Sequence, residues 1–216
     1  MTRLLLINPN TNAATTATMR AIAQAAAPKN VIVEAMSAPY GVPLITTEDA
    51  LSAAAKAVQA LAGAIAATPP DGVIVSAFGD PGLAALRLRL SCPVTGIAEA
   101  AMREAGAGGR PFAIVTTTPD LVGSIMATAR AYGHGDTMRG VALTEGDVHA
   151  LMADHDLLVE ALAKACTDAI DRLGAKALVI GGGPLGQAAQ ALAGRFPVSV
   201  IAPIPAAMRL ALHRLA

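Results

Sequence analysis

The sequence predicts an α/β protein built from two similar lobes, each a parallel sheet flanked by helices. Three observations carry this. Short runs rich in Val and Ile alternate with longer Ala-rich stretches of helical period along the chain. Hairpin signals are missing between the apolar runs, so successive strands have to be crossed over by helices and lie parallel. The second half of the chain also echoes the first. Val73-Ile74-Val75-Ser76-Ala77, then Pro93-Val94 and Ile97…Met102, returns as Leu178-Val179-Ile180-Gly181-Gly182, then Pro197-Val198 and Ile201…Met208. Repetition at half-chain distance fits two facing lobes with a central cleft between the carboxyl ends of their strands. Eight βα units would also suit a closed barrel, but 216 residues is short for one.

In chain order, strands are expected at Leu4–Ile7, Val31–Ala35, Gly72–Ser76, Val94–Gly96, Phe112–Val115, Gly140–Leu143, Ala177–Ile180 and Val198–Ile201. Helices are expected between them, near 13–26, 48–66, 82–89, 98–106, 120–132, 157–172, 185–194 and 204–215. Asn12, Thr47 and Asp120 each stand just before a helical pattern, where a side-chain oxygen caps free N–H groups. The glycine-rich Gly106-Ala107-Gly108-Gly109-Arg110 marks the expected boundary, with one lobe over 1–106 and the other over 107–203.

Composition excludes several classes. With 54% hydrophobic and 15% charged residues the chain can bury a sizeable core, which rules out disorder. Only five residues are aromatic, so that core consists of Ala, Leu, Val and Ile. The net charge of zero supplies no basic face for nucleic acid or an anionic membrane. Leu4–Ile7 is too short for a signal-peptide core, and the nearest approach to a membrane span, Ala50–Ala67, carries Lys56 and Gln59. Cys92 and Cys166 make neither a disulfide framework nor a zinc site. The expectation is a soluble cytoplasmic protein with a small-molecule substrate, no metal and no nucleic-acid or membrane partner; a homo-oligomer is left open.

In such sheets ligands bind outside the carboxyl ends of the strands, which directs attention to four turns. Asn8-Pro9-Asn10-Thr11-Asn12 offers carboxamides that either hold polar groups of a ligand or form Asx-turns that start the next helix. Ser76-Ala77-Phe78-Gly79-Asp80-Pro81-Gly82 offers backbone N–H groups suited to a carboxylate or an oxyanion. Asp80 within it is a candidate acid or base, or an N-cap placed immediately before Pro81. Thr116-Thr117-Thr118-Pro119 adds three hydroxyls, and Gly181-Gly182-Gly183-Pro184 adds backbone alone, without a phosphate-binding signature. Glu48, following Thr46-Thr47, is either catalytic or a first-turn carboxylate favoured by the helix dipole, with Thr47 as the cap. His149 and His155 are six residues apart, unlike a helical metal pair, and read as solvated, as do His134 and His213. Neither cysteine lies at a strand-end turn, so both read as structural.

These residues carry a resemblance. Ile7-Asn8-Pro9-Asn10-Thr11, Phe78-Gly79-Asp80-Pro81-Gly82-Leu83, Gly96-Ile97-Ala98-Glu99-Ala100-Ala101 and Val115-Thr116-Thr117 resemble the aspartate/glutamate/hydantoin racemase superfamily, and within it the hydantoin and allantoin racemases. The resemblance runs from residue 4 to about 210 in the same order. It implies two pseudo-symmetric α/β lobes, no cofactor or metal, a small amino-acid-derived substrate, and a C-terminal helix, about 204–216, packing back on the first lobe. Family racemases move the proton with two cysteines, one from each lobe. Those would stand where this chain has Ala77 and Gly182, and side chains of methyl and hydrogen exchange no protons.

The resulting expectation is a cofactor-independent enzyme acting on a small cyclic amide, ureide or amino-acid derivative, foremost by hydrolysis or ring opening. Ser76, Asp80, Thr117 and Glu48 are the catalytic candidates; Asn8, Asn10, Ala77, Phe78, Gly79, Thr116, Thr118, Gly182, Gly183 and Pro184 are the binding candidates. The alternatives are a decarboxylase-like lyase, a racemase using bases other than cysteine, and a non-catalytic binder.

Overall fold

The computed structural model describes all residues, Met1–Ala216. It forms two compact units: Met1–Ala100 with Ile204–Ala216, and Ala101–Pro203. The first unit contains β1 (Thr2–Asn8), α1 (Ala13–Ala26), β2 (Val31–Ser37), α2 (Glu48–Ala60), α3 (Ala62–Ala67), β3 (Gly72–Val75), α4 (Leu83–Arg89) and β4 (Val94–Gly96). The helix α5 (Ile97–Ala105) carries the division between the units, and α10 (Pro203–Leu215) belongs to the first apart from its opening residue. The second unit contains β5 (Phe112–Thr116), α6 (Val122–Ala131), β6 (Met138–Leu143), α7 (Val148–Ala153), α8 (His155–Leu173), β7 (Ala177–Ile180), α9 (Gly186–Ala191) and β8 (Ser199–Ile201).

Each unit holds a four-stranded sheet, in the orders β2-β1-β3-β4 and β6-β5-β7-β8, with every pair parallel. The half-chain repeat is therefore one topology used twice, and no strand joins the sheets into a barrel. Register makes the copies comparable residue by residue. Ile7 pairs with Val75, and Val115 pairs with Ile180, so Ala77 and Gly182 stand two residues beyond equivalent positions. The inner strands β3, β5 and β7 are buried at every residue, as parallel strands covered on both faces must be, whereas the outer β2 alternates at its start. Leu4, Leu6, Ile7 and Ile74 are fully buried in the first unit; each such side chain contributes about 1.5–3 kcal/mol of transfer energy.

Asn12 and Thr47 cap α1 and α2 through the N–H groups of Thr15 and Ala50, at 3.0 and 3.2 Å. Asp120 does not cap: it lies inside a 3-10 turn, Pro119–Leu121, that leads into α6. The reason is Pro119, whose fixed φ suits the first position of a helical turn and starts the turn one residue early. The expected helix over 48–66 divides at Leu61, whose N–H bonds to Val58 O one residue tighter than an α-helix allows. By length and composition Glu48–Ala67 could cross a membrane; in this fold Ala54, Ala57, Val58, Ala62 and Ile65 along it are buried in the first unit. The acidic segment 145–156 holds α7, capped by Asp147, and the start of α8, capped by Asp154. Arg214 fastens α10 to the first unit, donating to Glu99 Oε1 at 2.7 Å and Thr95 Oγ1 at 2.8 Å.

Candidate functional site

The four turns lie at the carboxyl ends of the inner strands, two in each unit. In the first unit β1 and β3 are neighbours, which brings the turn after Asn8 beside the turn after Val75. Asn8 is fully buried and its carboxamide is entirely engaged. Nδ2 donates to Asn10 Oδ1 at 2.7 Å, to Thr16 Oγ1 at 2.8 Å and to Asn12 O at 3.2 Å, while Oδ1 accepts from Asn10 N–H at 3.1 Å. Asn10 Oδ1 also accepts from Asn12 N–H at 2.9 Å, but Asn10 Nδ2 donates to nothing within the protein. The turn-building reading describes these bonds: Asn8 and Asn10 each close an Asx-turn, Asn12 caps α1, and Asn10 Nδ2 remains an unspent donor.

In the neighbouring turn the N–H groups of Ala77, Phe78 and Gly79 have no intramolecular acceptor. Ser76 and Asp80 are occupied elsewhere. The Ser76 hydroxyl, 1% exposed, donates to Met19 Sδ at 3.2 Å and is turned into the core. Asp80 is 5% exposed, with φ 50°, a left-handed value that aspartate tolerates. Its Oδ1 accepts from Ala98 N–H at 2.9 Å and its Oδ2 from Glu99 N–H at 2.8 Å, which makes it the cap of α5. The helix it caps is therefore not the one that follows it: α4 starts behind Gly82 without a side-chain cap. Gly96 is required by this contact, because a Cβ there would occupy the Asp80 carboxyl. Glu48, exposed, opens α2 beside its cap Thr47, where the helix dipole favours a carboxylate.

In the second unit β5 and β7 are neighbours, and Thr116 Oγ1 ties their turns together, donating to Gly181 O at 2.9 Å and lying 3.2 Å from Thr118 Oγ1. Thr117 is 5% exposed, yet its hydroxyl has no partner in the protein. Gly182 N–H bonds to Ile180 O at 3.0 Å; Gly183 N–H has no acceptor, and Pro184 supplies none. A Cβ on Gly182 would stand 2.9 Å from Leu185 Cγ, so the leucine fills the space a side chain would need. No Lys or Arg occurs in any of the four turns. The turns themselves offer a negative charge only N–H and O–H donors.

The histidines and cysteines stay out of these turns. His149, His155 and His213 are exposed, while His134 is half-buried with its ring edge-on to Phe112 at 5.6 Å, and burial pushes its pKa down. Cys166 is fully buried in α8, and burial pushes its thiol up to about 12. Cys92 precedes β4, at the amino end of the sheet, and burial raises its pKa as well. Sequence reasoning missed Thr16, Ser37 and Thr144. Thr16 Oγ1 lies 2.7 Å from Ser37 Oγ and receives Asn8 Nδ2; Thr144, whose N–H bonds to Thr116 O, has a buried hydroxyl with no partner. The register of Asn8 against Ser37 follows from extending the β1–β2 pairing, but no local pattern flags it.

A sequence profile described as Asp/Glu/Hydantoin racemase matches residues 4–211. The chain is 30% identical over 210 residues to a hydantoin racemase of Paenarthrobacter aurescens, covering 97% of this chain and 89% of that protein. The structure superposes on an allantoin racemase from Klebsiella pneumoniae with a TM-score of 0.92 at 33% identity, over 99% of this chain and 87% of the other. An arylmalonate decarboxylase structure shares the fold, with a TM-score of 0.68 at 18% identity over 99% and 92% of the two chains.

Proposed function

Because the chain belongs to the Asp/Glu/hydantoin racemase family, we propose that it acts on a five-membered cyclic ureide of the hydantoin and allantoin class, promoting proton exchange at the ring carbon beside a carbonyl. The similarity to hydantoin and allantoin racemases over nearly the whole chain carries this reading. Removing that proton moves negative charge onto the carbonyl oxygen, and preorganised donors stabilise such charge strongly. Each unit by itself offers such donors at its strand ends: Asn10, Ala77, Phe78 and Gly79 in the first, and Thr117 and Gly183 in the second.

This reading does not use a two-thiol exchange, because the resemblance puts the family's two cysteines at Ala77 and Gly182, which carry no thiol. In this reading water or a carboxylate such as Glu48 takes the ring proton, the donors hold the charge left on the carbonyl oxygen, and a proton from solvent returns to the ring carbon. The test is incubation of enantiopure 5-substituted hydantoins and allantoin with the protein in D2O, followed by circular dichroism and mass. Loss of optical activity with a gain of one deuterium supports the proposal. A gain of one water would replace it by ring opening, and binding without exchange would leave a binder.

A further inference from the structure

In the second unit, α8 carries a row of alternating charge along one exposed face. Glu160, Lys164, Asp168 and Arg172 follow one another at four-residue spacing, so they stand on successive turns of the same side. At about 1.5 Å of rise per residue the row is about 18 Å long. All four line a groove of about 590 Å3, which Leu157 of the same helix and Leu143 at the end of β6 also border. These leucines are 50% and 38% exposed, large apolar side chains left in water. The strand that carries Leu143 is the outer one of its sheet, an open edge. Within the chain the row is only partly satisfied. Lys164 meets Glu145 at 2.7 Å and Glu160 meets Arg195 at 3.2 Å, all four groups exposed. Asp168 and Arg172 form no ion pair.

We infer that a second copy of the chain docks on this face, its α8 antiparallel to the first across a twofold axis between Lys164 and Asp168. The order of the charges carries the inference. About such an axis Lys164 faces Asp168 of the second copy, and Glu160 faces Arg172 of the second copy. Each pair occurs twice, so the whole row meets opposite charge. A slip of one helical turn in either direction reverses this. Glu160 would then face Asp168 and Lys164 its own counterpart, or Lys164 would face Arg172 and Asp168 its own counterpart. A parallel pair in register is refused as well, because every charge would meet its own kind. The row therefore specifies one direction and one register, as charges flanking a coiled-coil seam do. Exposed ion pairs add little energy by themselves. Removal of Leu143 and Leu157 from water supplies the drive, and the charges choose the geometry. The pairs already present are extended rather than broken: Lys164 lies between Glu145 and the incoming Asp168, and Glu160 between Arg195 and the incoming Arg172.

The test is sedimentation velocity on the full chain, at protein concentrations up to about 100 μM. A reversible dimer is expected, weakening as salt rises from about 0.01 M to about 0.15 M and the screening length falls from about 30 to about 8 Å. Lys164→Glu sets like charge against Asp168 on both sides of the axis and should raise the dissociation constant about tenfold or more. Adding Asp168→Lys to that variant restores opposite charges and should return the constant close to the wild-type value. A row made wholly acidic by Lys164→Glu with Arg172→Glu, and one made wholly basic by Glu160→Lys with Asp168→Lys, should each be monomeric and dimerise on mixing.

A wild type that stays monomeric would overturn the inference. So would a dimer indifferent to Lys164→Glu, which would be using another face, and so would oligomers that grow without limit, which need a head-to-tail contact. A folded charge exchange at 164 and 168 without recovery would overturn the register. If the charge variants do not fold by circular dichroism, carbodiimide cross-linking of mixed unlabelled and 15N-labelled wild type decides alone. A Lys164–Asp168 cross-link joining the two isotopes upholds the docking, and its absence overturns it.

Discussion

Replacing Asp80 by alanine separates its two candidate roles, helix cap and acid–base group. The carboxylate holds Ala98 N–H at 2.9 Å and Glu99 N–H at 2.8 Å, and both it and Ala98 are buried. Loss of a cap costs about 0.5–2 kcal/mol, and leaving a buried donor unsatisfied costs about 1–3 kcal/mol. Bonds to a charged acceptor sit at the upper end of such ranges, and alanine keeps none of aspartate's tolerance for the left-handed φ of 50°. About 3 kcal/mol of destabilisation is expected for Asp80→Ala, and about half of that for Asp80→Asn, which retains one acceptor. The assay is amide hydrogen exchange, since opening of the α5 start should speed Ala98 and Glu99 exchange by about a hundredfold, with urea unfolding as the global measure. Gly96→Ala should give the same local signature with Asp80 intact, because its Cβ displaces the carboxyl. Unchanged protection of both amides in Asp80→Ala would refute the capping account.

Three further outcomes follow from the geometry. Burial alone would raise the Glu99 carboxyl, but hydrogen bonding from Arg214 and the charges of Arg87 and Arg214 outweigh it and hold the group below the usual carboxylate range. Its contribution is whole above about pH 4.3 and is lost as pH falls through the lower folded value, so wild type and Glu99→Gln should converge in stability on that acid limb; parallel curves would refute this. Cys166 should resist alkylation at pH 8 until the protein unfolds, and Cys92→Ala with Cys166→Ala should keep any turnover; loss of turnover in folded protein would place a thiol in the chemistry. Thr117→Val, which removes an unspent hydroxyl, should lower turnover about a hundredfold with the fold intact, and full activity would remove Thr117 from the site.

Sequence alone determined whatever depends on spacing along the chain. Alternating apolar runs and Ala-rich helical stretches placed every strand and all but the short α7, because burial on a sheet face or a helix face imposes its own period. Asn12 and Thr47 were legible as caps because the N–H groups they satisfy lie three residues on. The half-chain repeat foretold one topology used twice, since similar strings bury similar faces. Tertiary structure alone decided what the polar groups at the strand ends do. Asp80 reads as the cap of the next helix, yet it serves α5, 18 residues away, because β4 lies beside β3 and delivers the start of α5 to it. Ser76 reads as a catalytic candidate, yet its hydroxyl is spent on Met19, 57 residues back. Asn8 and Asn10 are the same residue type two positions apart; burial against Thr16 and Ser37 consumes one carboxamide and leaves the other a donor. A hydrogen bond needs its partner within about 3 Å, and for groups distant in sequence that proximity is created by strand order and register.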